Sequence, residues 1–261
     1  EYIGGPEVMG AFDIGMAAKQ GVVDIGWVFA TGYAGLVPGV GVLSVSPLTP
    51  SEERETGFHD ALADMHEKSG LFYLGRGVIP PRPEFYFELK KRIETPYDLV
   101  GLKIGPGTMV TGLMEDMGVA SIFVRTMEIY GALERGVIDG VVFPITGYTD
   151  FRFYEVAEYV IDHGVLTSNI TTTINLDTWN KLPEHLQKLM IEAQLEYERD
   201  YPVQHGKFEA EKRQILKDAG IEFIKFSPSD AEWFIENAYD AEWGKILRQN
   251  PEIAPLREMT Y

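Results

Sequence analysis

Little in this chain is placed for making or breaking bonds. The five histidines, His59, His66, His163, His185 and His205, are scattered, and the first two sit seven apart on a segment that reads as an exposed helix. No H-E-x-x-H, G-x-S-x-G or P-loop pattern occurs, so the spacings that hold zinc, activate a serine or cradle a phosphate are missing from the sequence. The stretch "GPGTMVTG" (105–112) has the glycines of a phosphate loop without its lysine or spacing, and a helix entry accounts for it better. Zero cysteines exclude disulfides, thiolate metal sites and cysteine nucleophiles. Among 40 carboxylates no pair is set apart by apolar surroundings. Asp24 and Asp139 do stand out, because they recur at matching places in a repeated phrase. Recurrence suits a structural role, bonding nearby backbone N–H groups, better than general acid–base work. The expectation is a binding protein and not an enzyme, with no catalytic residue, cofactor or metal.

The elements that would position a binding site are legible. "TPSE" (49–52), "TPYD" (95–98) and "SPSD" (227–230) each put Thr or Ser at a helix N-cap, Pro at the first helical position and a carboxylate three residues after the cap. They predict helices near 50–68 and 228–247 and a short turn at 96–100. Gly21, Gly70, Gly136 and Gly220 fall where helices close on a left-handed residue. Short strands are expected at 21–27, 71–79, 84–89, 101–104, 119–124, 137–143, 170–176 and 221–226. Strand and helix thus alternate, giving an α/β fold. From Pro183 to Ala219 the pattern is helical, long enough to run along two lobes, and Pro202 should kink or split it. At 261 residues, two lobes are the natural expectation. The net charge of −17 argues against a nucleic-acid or anionic-membrane partner, both being polyanions. No apolar run approaches a membrane span, so no direct membrane insertion is expected.

One phrase is written twice. "AAKQGVVDIGW" (17–27) and "ALERGVIDGVV" (132–142) each read as a helix ending at a glycine and passing at once into a buried parallel strand. Ligands of open α/β sheets bind beyond the carboxyl ends of such strands. The two copies predict two similar sheets whose strand ends, Trp27–Phe29 and Phe143–Pro144, face a shared cleft.

The stretch from Arg92 to Pro144 resembles the solute-binding proteins of tripartite ATP-independent periplasmic (TRAP) transporters. Thr95, Pro96, Asp98, Leu99, Gly101, Leu102, Lys103 and Ile104 fit that family's T-P-x-D-L-x-G-L-K-[IL]-R element. Glu128, Tyr130, Ala132, Leu133, Gly136, Asp139 and Gly140 fit its E-x-Y-x-A-L-x-x-G-x-x-D-G element. The resemblance implies a two-lobed type II periplasmic binding fold with a long interlobe helix. Lobe 1 would comprise 1–82 plus 171–210, and lobe 2 would comprise 83–170 plus 211–261. It implies a monomer in the periplasm that closes like a hinge on a small organic solute, usually a carboxylate, and passes it to TRAP membrane permease subunits. Two rival readings are a ligand-sensing domain of a signalling protein and an enzyme on a similar scaffold. The family normally begins with a strand and a long helix ahead of the segment that opens here at Glu1, so a fragment or a divergent member is expected.

The departures carry the question of ligand. The family's substrate-pairing arginine is replaced by Gly105, and the asparagine before its proline by Phe143. A buried carboxylate without a partner is costly. Either Arg125 or Arg82 supplies the cation from another wall, Arg125 being favoured, or the ligand is largely apolar with its polar end held by backbone N–H groups near Gly107–Thr108. The expected ligand is aromatic or otherwise hydrophobic, with at most one acidic group. Its candidate contacts are Trp27, Phe29, Tyr33, Arg82, Tyr86, Thr108, Arg125, Phe143 and Asn169. Each has a plainer account. Strand aromatics are mostly core, Arg125 can pair with Glu128 three residues on, and Asn169 suits a loop cap.

Overall fold

The structure is a computed structural model that describes residues 1–5, 8–80, 83–106 and 110–260. The chain forms two compact units, the first from Glu1–Pro80, Ser168–Val203 and Ile246–Tyr261, the second from Pro81–Thr167 and Gln204–Lys245. The C-terminal tail thus joins the first unit rather than the second lobe.

The first unit holds α1 (Ile14–Lys19), β1 (Ile25–Phe29), α2 (Pro50–Glu55), α3 (Phe58–Glu67), β2 (Leu71–Arg76), β8 (Ile170–Asn175), α7 (Leu176–Lys181), the start of α8 (Glu184–Asp218) and α10 (Ala254–Glu258). Its sheet runs β1-β8-β2, with β8 antiparallel to both neighbours. Tyr33, Phe58, Leu62, His66, Tyr73 and Val28 fill its interior. The expected helix over 50–68 is two helices. Thr49 and Glu52 close the predicted capping box on α2, and Gly57, with φ +82°, breaks the run before α3.

The second unit holds β3 (Phe85–Leu89), β4 (Lys103–Gly105), α4 (Thr111–Met117), β5 (Ala120–Ser121), α5 (Ile129–Glu134), β6 (Gly140–Pro144), α6 (Ile145–Asp150), β7 (Tyr159–Ile161), the rest of α8, β9 (Glu222–Ile224) and most of α9 (Pro228–Gln249). Its mixed sheet runs β5-β4-β6-β3-β7-β9, in which β3 is antiparallel to β6 and β7 and the other pairs are parallel. One cluster packs Leu133, Val141, Ile145, Tyr148, Phe153, Val160 and Leu216, while Phe87 meets Phe234 edge-on at 5.6 Å. Helix α8 remains one 35-residue helix through Pro202 and is not split there.

The repeated phrase is a repeated structure. Ile14–Lys19 and Ile129–Glu134, and then Ile25–Phe29 and Gly140–Pro144, fall at one constant offset. Gly21 and Gly136 both take the left-handed conformation, at φ +70° and +69°. The same bonds close each helix, from Gly21 and Val22 to Ala18 and Ala17, and from Gly136 and Val137 to Leu133 and Ala132. The aspartates diverge slightly. Asp139 accepts the Lys103 backbone N–H at 2.9 Å, as expected, whereas Asp24 accepts the Thr178 hydroxyl at 2.8 Å. The sheet context also differs. Strand β6 lies between β4 and β3, but β1 is an antiparallel edge strand rather than a buried parallel one. Among the described residues it pairs with β8 alone, and the alternation of its side chains leaves Ile25, Trp27 and Phe29 exposed on one face while Gly26 and Val28 are buried on the other.

Candidate functional site

In the first unit the outer face of β1 exposes large apolar side chains. Residues alternate across a strand, so Ile25, Trp27 and Phe29 share one face. Trp27 is 54% exposed although its indole N–H is already engaged, donating to the Gly77 carbonyl at 3.2 Å. The Tyr197 hydroxyl donates to that same oxygen at 2.5 Å, and the Tyr197 and Tyr201 ring centroids lie 4.9 Å apart. Phe29, 37% exposed, lies 6.4 Å from Phe12, which is itself exposed. Two ring pairs, Phe12–Phe29 and Tyr197–Tyr201, are thus linked to this strand, the second sharing the Gly77 carbonyl with Trp27.

Two candidates in this unit belong to its interior. Tyr33 is buried, and its hydroxyl lies 2.9 Å from His66 Nε2 and 2.7 Å from Thr171 Oγ1. Asn169 is fully buried. Its side-chain amide donates to Ser44 Oγ at 2.9 Å and its backbone carbonyl accepts the Ala30 N–H, so it ties two 3-10 turns to the start of β8 instead of capping a loop. The supposedly exposed helix also turns inward at His66. Burial pushes its pKa down to about 4, so it is neutral at pH 7.

A buried ion pair braces the same unit and had no signature in the sequence. Arg76 donates from Nε to Glu53 at 3.0 Å, pairs with it again through Nη2, and reaches the carbonyls of Leu43 and Ser168 from Nη1. The carbonyl of Arg76 accepts from Gln194, which also donates to Glu198, and Glu198 pairs with Arg54 at 2.7 Å. Four of the five N–H donors of Arg76 are thus engaged inside the fold, and its side chain is buried.

In the second unit Phe143 is half-buried at the end of β6, edge-to-face with Phe151 at 5.8 Å and with Phe153 at 5.6 Å. Its cross-strand partner Tyr86 is buried. The Tyr86 hydroxyl points to the Pro83 carbonyl at 3.2 Å, and the Arg213 guanidinium lies 4.7 Å from its ring centroid. Tyr86 is therefore core, not surface. Arg125 is 76% exposed on its side chain and pairs with Glu128 at 2.5 Å, the plainer of its two expected roles. Arg82 and Thr108 lie outside the described residues, as does Gly107.

The backbone N–H groups expected near Gly107–Thr108 lie outside the described residues, and the next helix starts beyond them. Helix α4 begins at Thr111, and two amides of its first turn meet one buried carboxylate: Gly112 N–H donates to Glu242 at 2.5 Å, and Leu113 N–H points to the same oxygen at 3.4 Å. At Gly105 the nearest side chains are aliphatic, beside one backbone carbonyl. A Cβ there would lie 3.2 Å from the Ile122 carbonyl, 3.3 Å from Ile138 Cδ1 and 3.4 Å from Val124 Cγ2. A hollow of about 420 Å³ in this unit is lined by Lys91, Arg92, Glu94, Thr95 and Asp98, and by none of these aromatics. Its Arg92 pairs with Glu222, and its Asp98 caps the turn at Thr95.

Comparison with known proteins follows this geometry. The family model for bacterial extracellular solute-binding proteins, family 7, matches residues 9–250. A solute-binding protein of Roseobacter denitrificans is 29% identical over 177 residues, which are 66% of this chain and 52% of that protein. The chain therefore spans about half the length of that relative. Among solved structures, a TRAP periplasmic solute-binding protein from Rhodoferax ferrireducens with bound malonate superposes with a TM-score of 0.79 at 16% identity, over 98% of this chain and 83% of the other. Another, from Desulfovibrio salexigens with bound orotic acid, gives 0.78 at 21% identity, over 94% and 81%. At such identities the likeness speaks for the fold, the two-lobed α/β architecture of periplasmic binding proteins. With nearly its whole length matched by the family model, the chain belongs to the bacterial extracellular solute-binding proteins of family 7.

Proposed function

We propose that this chain is the solute-capturing part of an extracytoplasmic receptor of a TRAP-type transporter. It takes a small molecule with an aromatic or otherwise apolar body and at most one acidic group, and delivers it to the membrane permease. The observation that carries this reading is the exposed Trp27 face in the middle of β1, flanked by exposed Ile25 and Phe29 while Gly26 and Val28 turn inward. Flat rings bury much area on such a surface at little entropic cost. The aliphatic side chains nearest Gly105 and the internal commitment of Arg76 support a ligand held more by packing than by an ionic clamp. A family fold with orotic acid bound, a flat ring bearing one carboxylate, supports the same chemistry by analogy. We infer capture without turnover, by a monomer that closes on its solute as the family resemblance implies.

Thermal-shift and calorimetric titrations test this. Benzoate, phenylacetate and indole-3-acetate serve as ring-bearing probes, beside malonate and glucuronate. A ligand at 100 times its Kd should stabilise the protein by about 2.7 kcal/mol. Trp27→Ala and Phe143→Ala should each weaken ring-bearing probes at least tenfold. Tight binding confined to the hydrophilic acids overturns the assignment of ligand.

A further inference from the structure

We infer that Gly77 is a positioning residue that pins the Trp27 indole by its only polar atom, so that Trp27 reads a ligand by its ring face alone. The inference rests on the proposed role of Trp27 as a ligand wall and specifies how that wall discriminates. Gly77 continues β2 along β8, its N–H donating to the Ile170 carbonyl at 2.8 Å. Its own carbonyl receives both Trp27 Nε1–H and the Tyr197 hydroxyl. The absence of a side chain is needed as well. A Cβ at Gly77 would lie 2.5 Å from Trp27 Nε1, 2.8 Å from its Cδ1 and 2.9 Å from Ile170 Cγ2, all closer than real contacts allow.

Two consequences follow for recognition. An indole that is more than half exposed would ordinarily swing about its side-chain torsions and pay entropy on docking; this one is held before ligand arrives. An indole N–H has no acceptor capacity and a single proton, already given to Gly77, so no carboxylate or hydroxyl of the ligand can be read through it. Trp27 then selects a planar ring that stacks, and is indifferent to the ligand's polar decoration.

The test combines spectroscopy with binding on the intact chain. With indole nitrogens labelled, the Trp27 N–H resonance, assigned by its loss in Trp27→Phe, should exchange with water at least tenfold more slowly in the wild type than in Gly77→Ala. Gly77→Ala, with its melting profile confirming a folded state, should bind the tightest of benzoate, phenylacetate and indole-3-acetate at least tenfold more weakly. Trp27→Phe keeps a ring but lacks the N–H, and should lose a similar factor even if Gly77→Ala fails to fold. A Trp27 N–H that exchanges as freely as that of indole in water overturns the inference, as does failure of all three probes to bind. If Trp27→Ala loses affinity while Gly77→Ala and Trp27→Phe bind like the wild type, the pinning is refuted and the ring wall stands. If Trp27→Ala itself binds normally, the ring wall is refuted too.

Discussion

Acidification should loosen the first unit through a single buried side chain, His66. A carbonyl can only accept, so the 2.6 Å contact with Leu62 fixes the proton on Nδ1 and leaves Nε2 bare to take the Tyr33 hydroxyl proton. Thr171 completes the chain at the Tyr33 oxygen, and the Tyr73 ring stacks on the imidazole at 4.8 Å. Protonating Nε2 would place two donors face to face in an interior that solvates charge poorly. Burial, the main cause, therefore holds the pKa near 4, with His59 pushing the same way against the Leu62 bond; the ordinary value is 6.5. Between those values the unfolded chain binds a proton that the folded one refuses. The His66 contribution is complete above about pH 7, falls by about 2 kcal/mol at pH 5, and levels off below about pH 4 after a loss of about 3 kcal/mol. Hydrogen exchange of the β8 amides Thr171–Ile174, corrected for the intrinsic pH dependence of exchange, reads this locally. His66→Gln should flatten the fall between pH 7 and 5 relative to the wild type. Parallel curves for the two proteins would refute the reasoning.

Two buried carboxyl groups give further tests, one in each unit. Glu53→Ala should destabilise the first unit by about 3–5 kcal/mol in denaturant unfolding, because Arg76 would be left charged and unpaired; pairing it with Arg76→Met should recover much of that loss. In the second unit Glu88 is fully buried on β3, and neither carboxylate oxygen has a partner among the described residues, so burial raises its pKa well above the usual range. The folded state keeps it neutral while the unfolded chain ionises above about pH 4.3, so this group costs stability increasingly as pH rises. Glu88→Leu should stabilise the second unit, with a gain that grows from pH 5 to pH 8; a pH-independent gain would exclude ionisation as the cause.

What could be foreseen was what short stretches decide. The caps at Thr49, Thr95 and Ser227 hold because their partners lie three residues away, and Gly21, Gly70, Gly136 and Gly220 all close helices at positive φ. Gly57 carried the signal for the break between α2 and α3, and the strength of the flanking helical pattern masked it. The position of β1 was hidden because its partner β8 lies far along the chain, and helix–glycine–strand patterning does not encode which strands pair. Tyr33 and Tyr86 differ from Trp27 only in what packs over them, which residue type does not reveal. Gly77 acts through a backbone carbonyl, an atom every residue possesses, so nothing in the letter G marks it.

The matched closures at Gly21 and Gly136 have one more implication. The same handful of bonds delivers the chain into a solvent-facing border strand in one unit and into a strand flanked on both sides in the other. The device is thus a portable joint, indifferent to the company its outgoing strand will keep, and neighbours farther along the polypeptide decide whether that strand ends as a rim or a rib.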